Sequence, residues 1–238
     1  MIKKLLAISG LLVSATVADA APQPNTLWFD GSENVIVLRG EVGGPETQLV
    51  LGAVISAPAN PILYVDTFGG SVMFGAELMQ AIQARGDVTC VSPLAVSMGF
   101  AIMQSCKTRI AAGVIPVWMQ HSVQMSGGKE SDVLKIEKTL NEFIKPMHRL
   151  IVDIQATRIG MTSDQFIEIT RNEWWLVGPK TILNAKAADS WTRVACRGPA
   201  LTKKRKTIKV LPPEGIFSQP KVVEQEVLAC PITDIPAN

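Results

Sequence analysis

Tyrosine occurs once in this sequence, and histidine only twice, at His121 and His148. With a single tyrosine and five scattered tryptophans there is no aromatic platform on which single-stranded nucleic acid could stack. Charge is sparse too: 18% of the 238 residues are Asp, Glu, Lys or Arg, and the formal net charge is only +2. So small an excess gives no electrostatic case for a nucleic-acid or membrane-surface partner. No Cys-x-x-Cys occurs and the two histidines lack zinc-finger spacing, so neither a structural metal nor another cofactor is expected. Beyond the first twenty residues no apolar run reaches the roughly 20 residues of a membrane span, and integral membrane association is not expected.

What is present is a large apolar fraction, 47% of the chain, enough for one compact domain with a sizeable core. Its start is distinct. Lys3 and Lys4 precede an apolar run over 5–17, and Ala18-Asp19-Ala20 fits a small-x-small cleavage pattern. Residues 1–20 therefore read as a cleaved signal peptide, and the mature protein as secreted or periplasmic. Four cysteines follow: Cys90, Cys106, Cys196 and Cys230. An even count in an exported chain favours disulfides, with three pairings open.

Strand and helix signals alternate along the chain. Residues 34–42 (NVIVLRGEV) read as a strand, 46–56 as a helix ended by Pro58 and Pro61, and 62–66 as a second strand. Phe74, Leu78 and Ile82 recur at helical spacing up to Gly86. A strand at 88–91, a loop, a helix over 97–106 and short strands at 109–112 and 117–119 follow. This alternation predicts an α/β fold, a mostly parallel sheet flanked by helices. Loops at the carboxyl ends of such strands tend to hold the site. Here they are 68–71, 92–97 and the segment that begins at His121.

Over 131–158 the pattern changes. Val133, Ile136, Leu140, Phe143, Met147, Leu150 and Ile154 form a seven-residue repeat. It predicts a long helix with a narrow apolar seam, on the order of 40 Å, projecting towards a partner. Pro146 inside it predicts a bend or break, and so the alternative of two shorter helices packed on their own domain. Residues 21–195 are read as the domain and 196–238 as an irregular tail. In that tail Lys203-Lys204-Arg205-Lys206 reads as a solvated basic loop, and 207–211 is the best strand candidate.

Three segments carry chemistry. Ala95-Val96-Ser97-Met98-Gly99 sets a serine among small residues between a strand and a helix, as nucleophile elbows do. The same pattern also suits a plain serine N-cap. His121 ends an apolar strand, where a general base for such a serine belongs. His148 lies in the heptad region and reads as a solvated helix residue. Phe68-Gly69-Gly70-Ser71 follows a strand and lets backbone approach a ligand closely.

In this order NVIVLRGEV, PILYVDTFGGSV, LAVSMGFAIM, VWMQHS and GMTSDQFIEITRNEWWLVGPKTILNAKAAD resemble the Clp protease proteolytic subunit and its relatives in the ClpP/crotonase superfamily. The resemblance spans about 34–190. It implies a serine endopeptidase with Ser97 as nucleophile, His121 as base, and the backbone N–H groups of Gly70 and Met98 as the oxyanion hole. Where the family has aspartate, Glu173 stands here, with Asn172 as its neighbour. The resemblance further implies peptide substrates and a ring-like homo-oligomer. Export would separate the chain from ATP and so from the family's ATP-driven unfoldase. It also implies the pairing: a strand entering the serine turn and a helix leaving it run back side by side, which joins Cys90 to Cys106 and leaves Cys196 for Cys230. The alternative expectation is a non-catalytic oligomeric scaffold that keeps the fold and binds peptide.

Overall fold

The computed structural model describes residues 26–122, 145–202, 204–211 and 221–232. The signal-peptide reading and the seam positions Val133, Ile136, Leu140 and Phe143 lie outside them. Elements follow in the order β1 (Thr26–Phe29), β2 (Val35–Arg39), α1 (Pro45–Ser56), β3 (Ile62–Thr67), α2 (Val72–Arg85), β4 (Thr89–Val96), α3 (Met98–Gln104), β5 (Thr108–Ala112) and β6 (Val117–Gln120). Then come α4 (Lys145–Ile159), α5 (Ser163–Thr170), β7 (Trp174–Val177), α6 (Pro179–Asn184), β8 (Ser190–Cys196), α7 (Pro199–Thr202), β9 (Lys204–Leu211) and β10 (Lys221–Leu228).

Eight strands form one sheet in the order β1-β8-β5-β4-β3-β2, with β6 branching from β4 and β7 beyond it. Every pair in it is parallel except β6–β7. The branch explains why β4 is twice the length expected from its sequence. Its first half pairs with β5 as far as Ser92↔Ala111. Its second half pairs with β6 from Leu94↔Val117. Pro93 stands at the change of neighbour, where a residue without an N–H interrupts no ladder. A proline that suggests a loop in the sequence is thus a fork in the sheet.

The main core lies between one face of the sheet and the helices. It includes Leu63, Val65, Leu78, Phe100, Trp118, Phe166 and Ile182. The opposite face carries a small cluster around Tyr64, Val91 and Ala112. Alternation along β3 sends Leu63 and Val65 to one side and Tyr64 to the other. Phe100 and Trp118 meet edge to face at 6.2 Å, and Trp174 packs on both Phe100 and Phe166.

Of the seam positions, only Leu150 and Ile154 have described side chains, both on α4. Its buried stripe is Ile151, Val152, Gln155, Ala156 and Ile159, while Leu150 is half exposed. An ordinary helix lying on a globular core buries a wider stripe than a coiled-coil seam, and it need not follow the most apolar residues. In the tail the strand expected at 207–211 is part of β9, which pairs antiparallel with β10 over eight residues each, from Lys204↔Leu228 to Leu211↔Lys221. The basic run from Lys204 to Lys206 belongs to that strand and not to a loop. Disulfides Cys90–Cys106 and Cys196–Cys230 are both present, at Cα separations of 5.9 and 5.7 Å. The first ties β4 to the end of α3 across a sequence separation of 16. A loop of that size stabilises by about 3 kcal/mol on the chain-entropy account.

A charged knot closes the far end of the core. Arg109, 4% exposed, donates from Nη2 to Asp189 Oδ1 at 2.5 Å and from Nη1 to Gln104 Oε1 at 2.6 Å. Its backbone N–H also donates to Asp189 Oδ2 at 2.7 Å. Burial alone would raise the Asp189 carboxyl. The hydrogen bonds from Arg109 and the charges of Arg109 and Arg158 outweigh it and hold that carboxyl below its usual range. A lowered folded-state pKa means stabilisation that is present above the unfolded value, about 3.9, and is lost as pH falls through the folded value. Asp189 is 38% exposed, so solvent screens part of the effect. Asp189→Asn is expected to cost about 1–2 kcal/mol at pH 7 and less as pH drops below about 4, read by urea unfolding across pH. An equal cost at pH 3 and pH 7 would contradict this.

Candidate active site

Strand β4 ends at Val96 and α3 begins at Met98, so one residue makes the whole reversal. That residue is Ser97, held at φ 55° and ψ −118°, a region that side-chain-bearing residues seldom occupy. Its N–H donates to the Met119 carbonyl of β6 at 2.8 Å. Its own carbonyl accepts from Phe100 N–H and Ala101 N–H at 3.0 and 3.3 Å. The backbone is thus fixed on both sides and the side chain is turned out of the elbow. Among the described residues Ser97 Oγ has no hydrogen-bond partner, and Ser97 lines a cavity of about 210 Å³.

The glycine turn after β3 forms a second wall. Val42 N–H donates to the Gly69 carbonyl at 2.8 Å, and Ser71 N–H to the Val42 carbonyl at 2.5 Å. Gly70, at φ 144°, is pressed against this segment: a Cβ there would lie 2.0 Å from the Val42 carbonyl oxygen. At Gly69, φ 96°, a Cβ would lie 2.7 Å from Ser97 Cβ. Thr67 Oγ1 locks the turn by accepting from Gly69 N–H at 2.9 Å and donating to the Gly40 carbonyl. Gly70 and Met98 both line the cavity, and neither of their N–H groups has a protein acceptor among the described residues.

His121 directly follows β6 and lines the same cavity. Its Nδ1 lies 2.6 Å from the Ser122 carbonyl oxygen. A carbonyl can only accept, so Nδ1 carries a proton, and in the neutral ring the lone pair is on Nε2. No direct hydrogen bond joins His121 to Ser97. Ser122 is itself pinned, N–H to the Thr170 carbonyl at 2.9 Å and Oγ to the same oxygen at 3.2 Å.

Glu173 is placed close by in sequence register but is not joined to His121. In the β6–β7 pair, Gln120 stands opposite Trp174. Two residues further on, Ser122 already bonds to Thr170, so residues 171–173 bulge outward. Glu173 is exposed, and its Oε2 accepts from Trp175 Nε1 at 2.9 Å. Asn172 is exposed as well. The His148 side chain lies outside the described residues.

Sequence reasoning passed over three polar cavity residues. Gln120 and Gln155 are buried carboxamides bonded to each other, and Thr170 donates to the Phe166 carbonyl at 2.7 Å. The signal for Gln120 was its place beside His121 at the end of an apolar strand. Gln155 gave none, because a glutamine on a helix normally faces solvent.

An α/β protein that turns a strained serine out at the end of a central strand, across a cavity from a strand-end histidine, has the architecture of the serine-hydrolase class. The family follows from the sequence itself. The Clp protease family model matches residues 33–182, more than half of the chain, and the chain belongs to that family. At family level it is a ClpP-like peptidase. A comparison with curated proteins found no match. The matched stretch runs from just before β2 into α6 and takes in the glycine turn, the elbow, His121 and the 171–173 bulge. Strands β1 and β8 and the β9–β10 hairpin lie outside it.

Proposed function

We propose that this protein is an exported serine endopeptidase that hydrolyses short or unfolded peptides, with Ser97 as nucleophile and His121 as general base. The observation that carries the reading is one cavity shared by a strained serine, a histidine whose Nδ1–H is held, and two amides, the serine oxygen and both amides without partners among the described residues. Nε2 takes the Ser97 proton as Oγ adds to the peptide carbonyl. The N–H groups of Gly70 and Met98 donate to the oxyanion, a contribution of about 10² to 10³ in rate per donor. The imidazolium then protonates the leaving amine, and water hydrolyses the acyl-enzyme by the same route in reverse order.

The Ser122 carbonyl already orients Nδ1–H and would steady the imidazolium. Glu173 would add a charge if the 171–173 bulge turned inward on substrate binding or assembly. Glu173→Gln separates the two. With the Ser122 carbonyl as the orienting group, kcat on a fluorogenic peptide should stay within about threefold of the parent. A loss of about a hundredfold or more would assign the acid to Glu173.

Export is proposed from residues 1–20. Two disulfides fit an oxidising compartment. No helix among the described residues is long and apolar enough to cross a membrane. A ring-like homo-oligomer is proposed from the family, working without an ATP-driven unfoldase. The absence of a direct Ser97–His121 bond favours one second reading, a peptide-binding scaffold without turnover. Purified protein that assembles and binds peptide but never turns it over would support that reading instead.

A further inference from the structure

Gln120 and Gln155 are buried, at 6% and 1% exposure, and both line the cavity beside Ser97. The hydrolysis described above makes no use of their side chains. Backbone groups at both ends fix how they point. The His121 N–H donates to Gln120 Oε1 at 3.1 Å, so that atom is the oxygen. Gln120 Nε2 then donates to Gln155 Oε1. Gln155 Nε2 donates to the Ile151 carbonyl at 3.1 Å. A carboxamide nitrogen carries two hydrogens, and here each nitrogen has used one. The remaining hydrogen on each has no protein acceptor among the described residues. The two carboxamides therefore offer donors to the cavity, while Val72, Val152 and Phe166 supply apolar surface. Among the described residues no lysine or arginine lines it. At about 210 Å³ it suits one side chain rather than a larger ligand.

We infer that this cavity receives the side chain of the residue whose carbonyl Ser97 attacks, and that it selects a neutral side chain ending in a hydrogen-bond acceptor, glutamine above all. The inference rests on the peptidase reading of the same site. Lysine and arginine bring only donors and leave the carboxamide hydrogens of Gln120 and Gln155 unmatched. Glutamate brings an ionised carboxylate to a lining without lysine or arginine among the described residues, a costlier desolvation than that of a carboxamide. Leucine fills the apolar part but leaves two buried N–H groups unpaired.

The test compares fluorogenic peptides that differ only at that residue: Gln, Leu, Glu and Lys. The parent is expected to prefer Gln over Leu by about tenfold in kcat/KM, the worth of one buried hydrogen bond. Gln155→Leu, which leaves the His121–Gln120 bond in place, is expected to reverse that order. A second arm measures binding of the uncleaved Gln and Leu peptides to Ser97→Ala by fluorescence anisotropy. Hydrolysis that favours Leu in the parent overturns the inference and leaves the peptidase reading standing. Binding that favours Gln without any hydrolysis by the parent keeps the subsite and overturns the peptidase reading. Neither hydrolysis nor a preference in binding overturns both.

Discussion

Ser97→Ala is expected to lower peptide hydrolysis by roughly 10⁴-fold or more and to leave the protein folded. The substitution removes one oxygen that makes no hydrogen bond within the described residues, so no buried partner is stranded. The backbone stays held by Met119, Phe100 and Ala101. Ser97→Gly sharpens the test. At φ 55° and ψ −118° a Cβ is strained and glycine is not. Ser97→Gly should therefore be as inactive as Ser97→Ala yet more stable than the parent by about 1 kcal/mol, measured by thermal or urea unfolding. That combination, lost turnover with gained stability, identifies a residue kept in a costly conformation for its chemistry. A glycine variant no more stable than the alanine one would show that the elbow is not strained.

Gly70→Ala should be the most damaging single substitution in the glycine turn. The new Cβ would lie 2.0 Å from the Val42 carbonyl oxygen and 2.8 Å from its nitrogen. Those are backbone atoms of the segment that pairs with the turn, so no flexible side chain can yield. The turn must move, taking with it the amide proposed for the oxyanion. The expected cost is roughly 3 kcal/mol or more in stability, together with a fall in kcat of at least about 10². Gly52→Ala is the control. It sits in α1 with nothing within 4 Å of a Cβ, and should stabilise by about 0.5–1 kcal/mol. A Gly70→Ala variant with parental stability and turnover would remove the turn from the site.

The alternation of strands and helices from 34 to 119 was legible because each element is short and bounded by Gly, Pro or a change of period. The elbow and the glycine turn were legible for a related reason: small residues at a strand's end mark backbone that must turn sharply. What stayed hidden were features set by partners distant in the chain. Pro93 reads as a loop residue until β5 and β6 are known to exchange places beside it. The buried stripe of α4 depends on where α3 lies, so Leu150 faces out and Gln155 faces in, against their polarity. The β9–β10 hairpin is rich in lysine and glutamate, which sequence reasoning assigns to loops. Position 173 could be aligned from its neighbours, yet its direction depends on a bulge that forms because Ser122 bonds to Thr170 and not further along.

The proton transfer from Ser97 to His121 is tested most directly by fluorophosphonate labelling followed by intact and peptide mass analysis. The parent is expected to take up one phosphonyl group, mapped to Ser97, and His121→Ala is expected to take up none on the same timescale. Equal labelling with and without the imidazole, or no labelling of the parent at Ser97, would contradict the assignment of this pair.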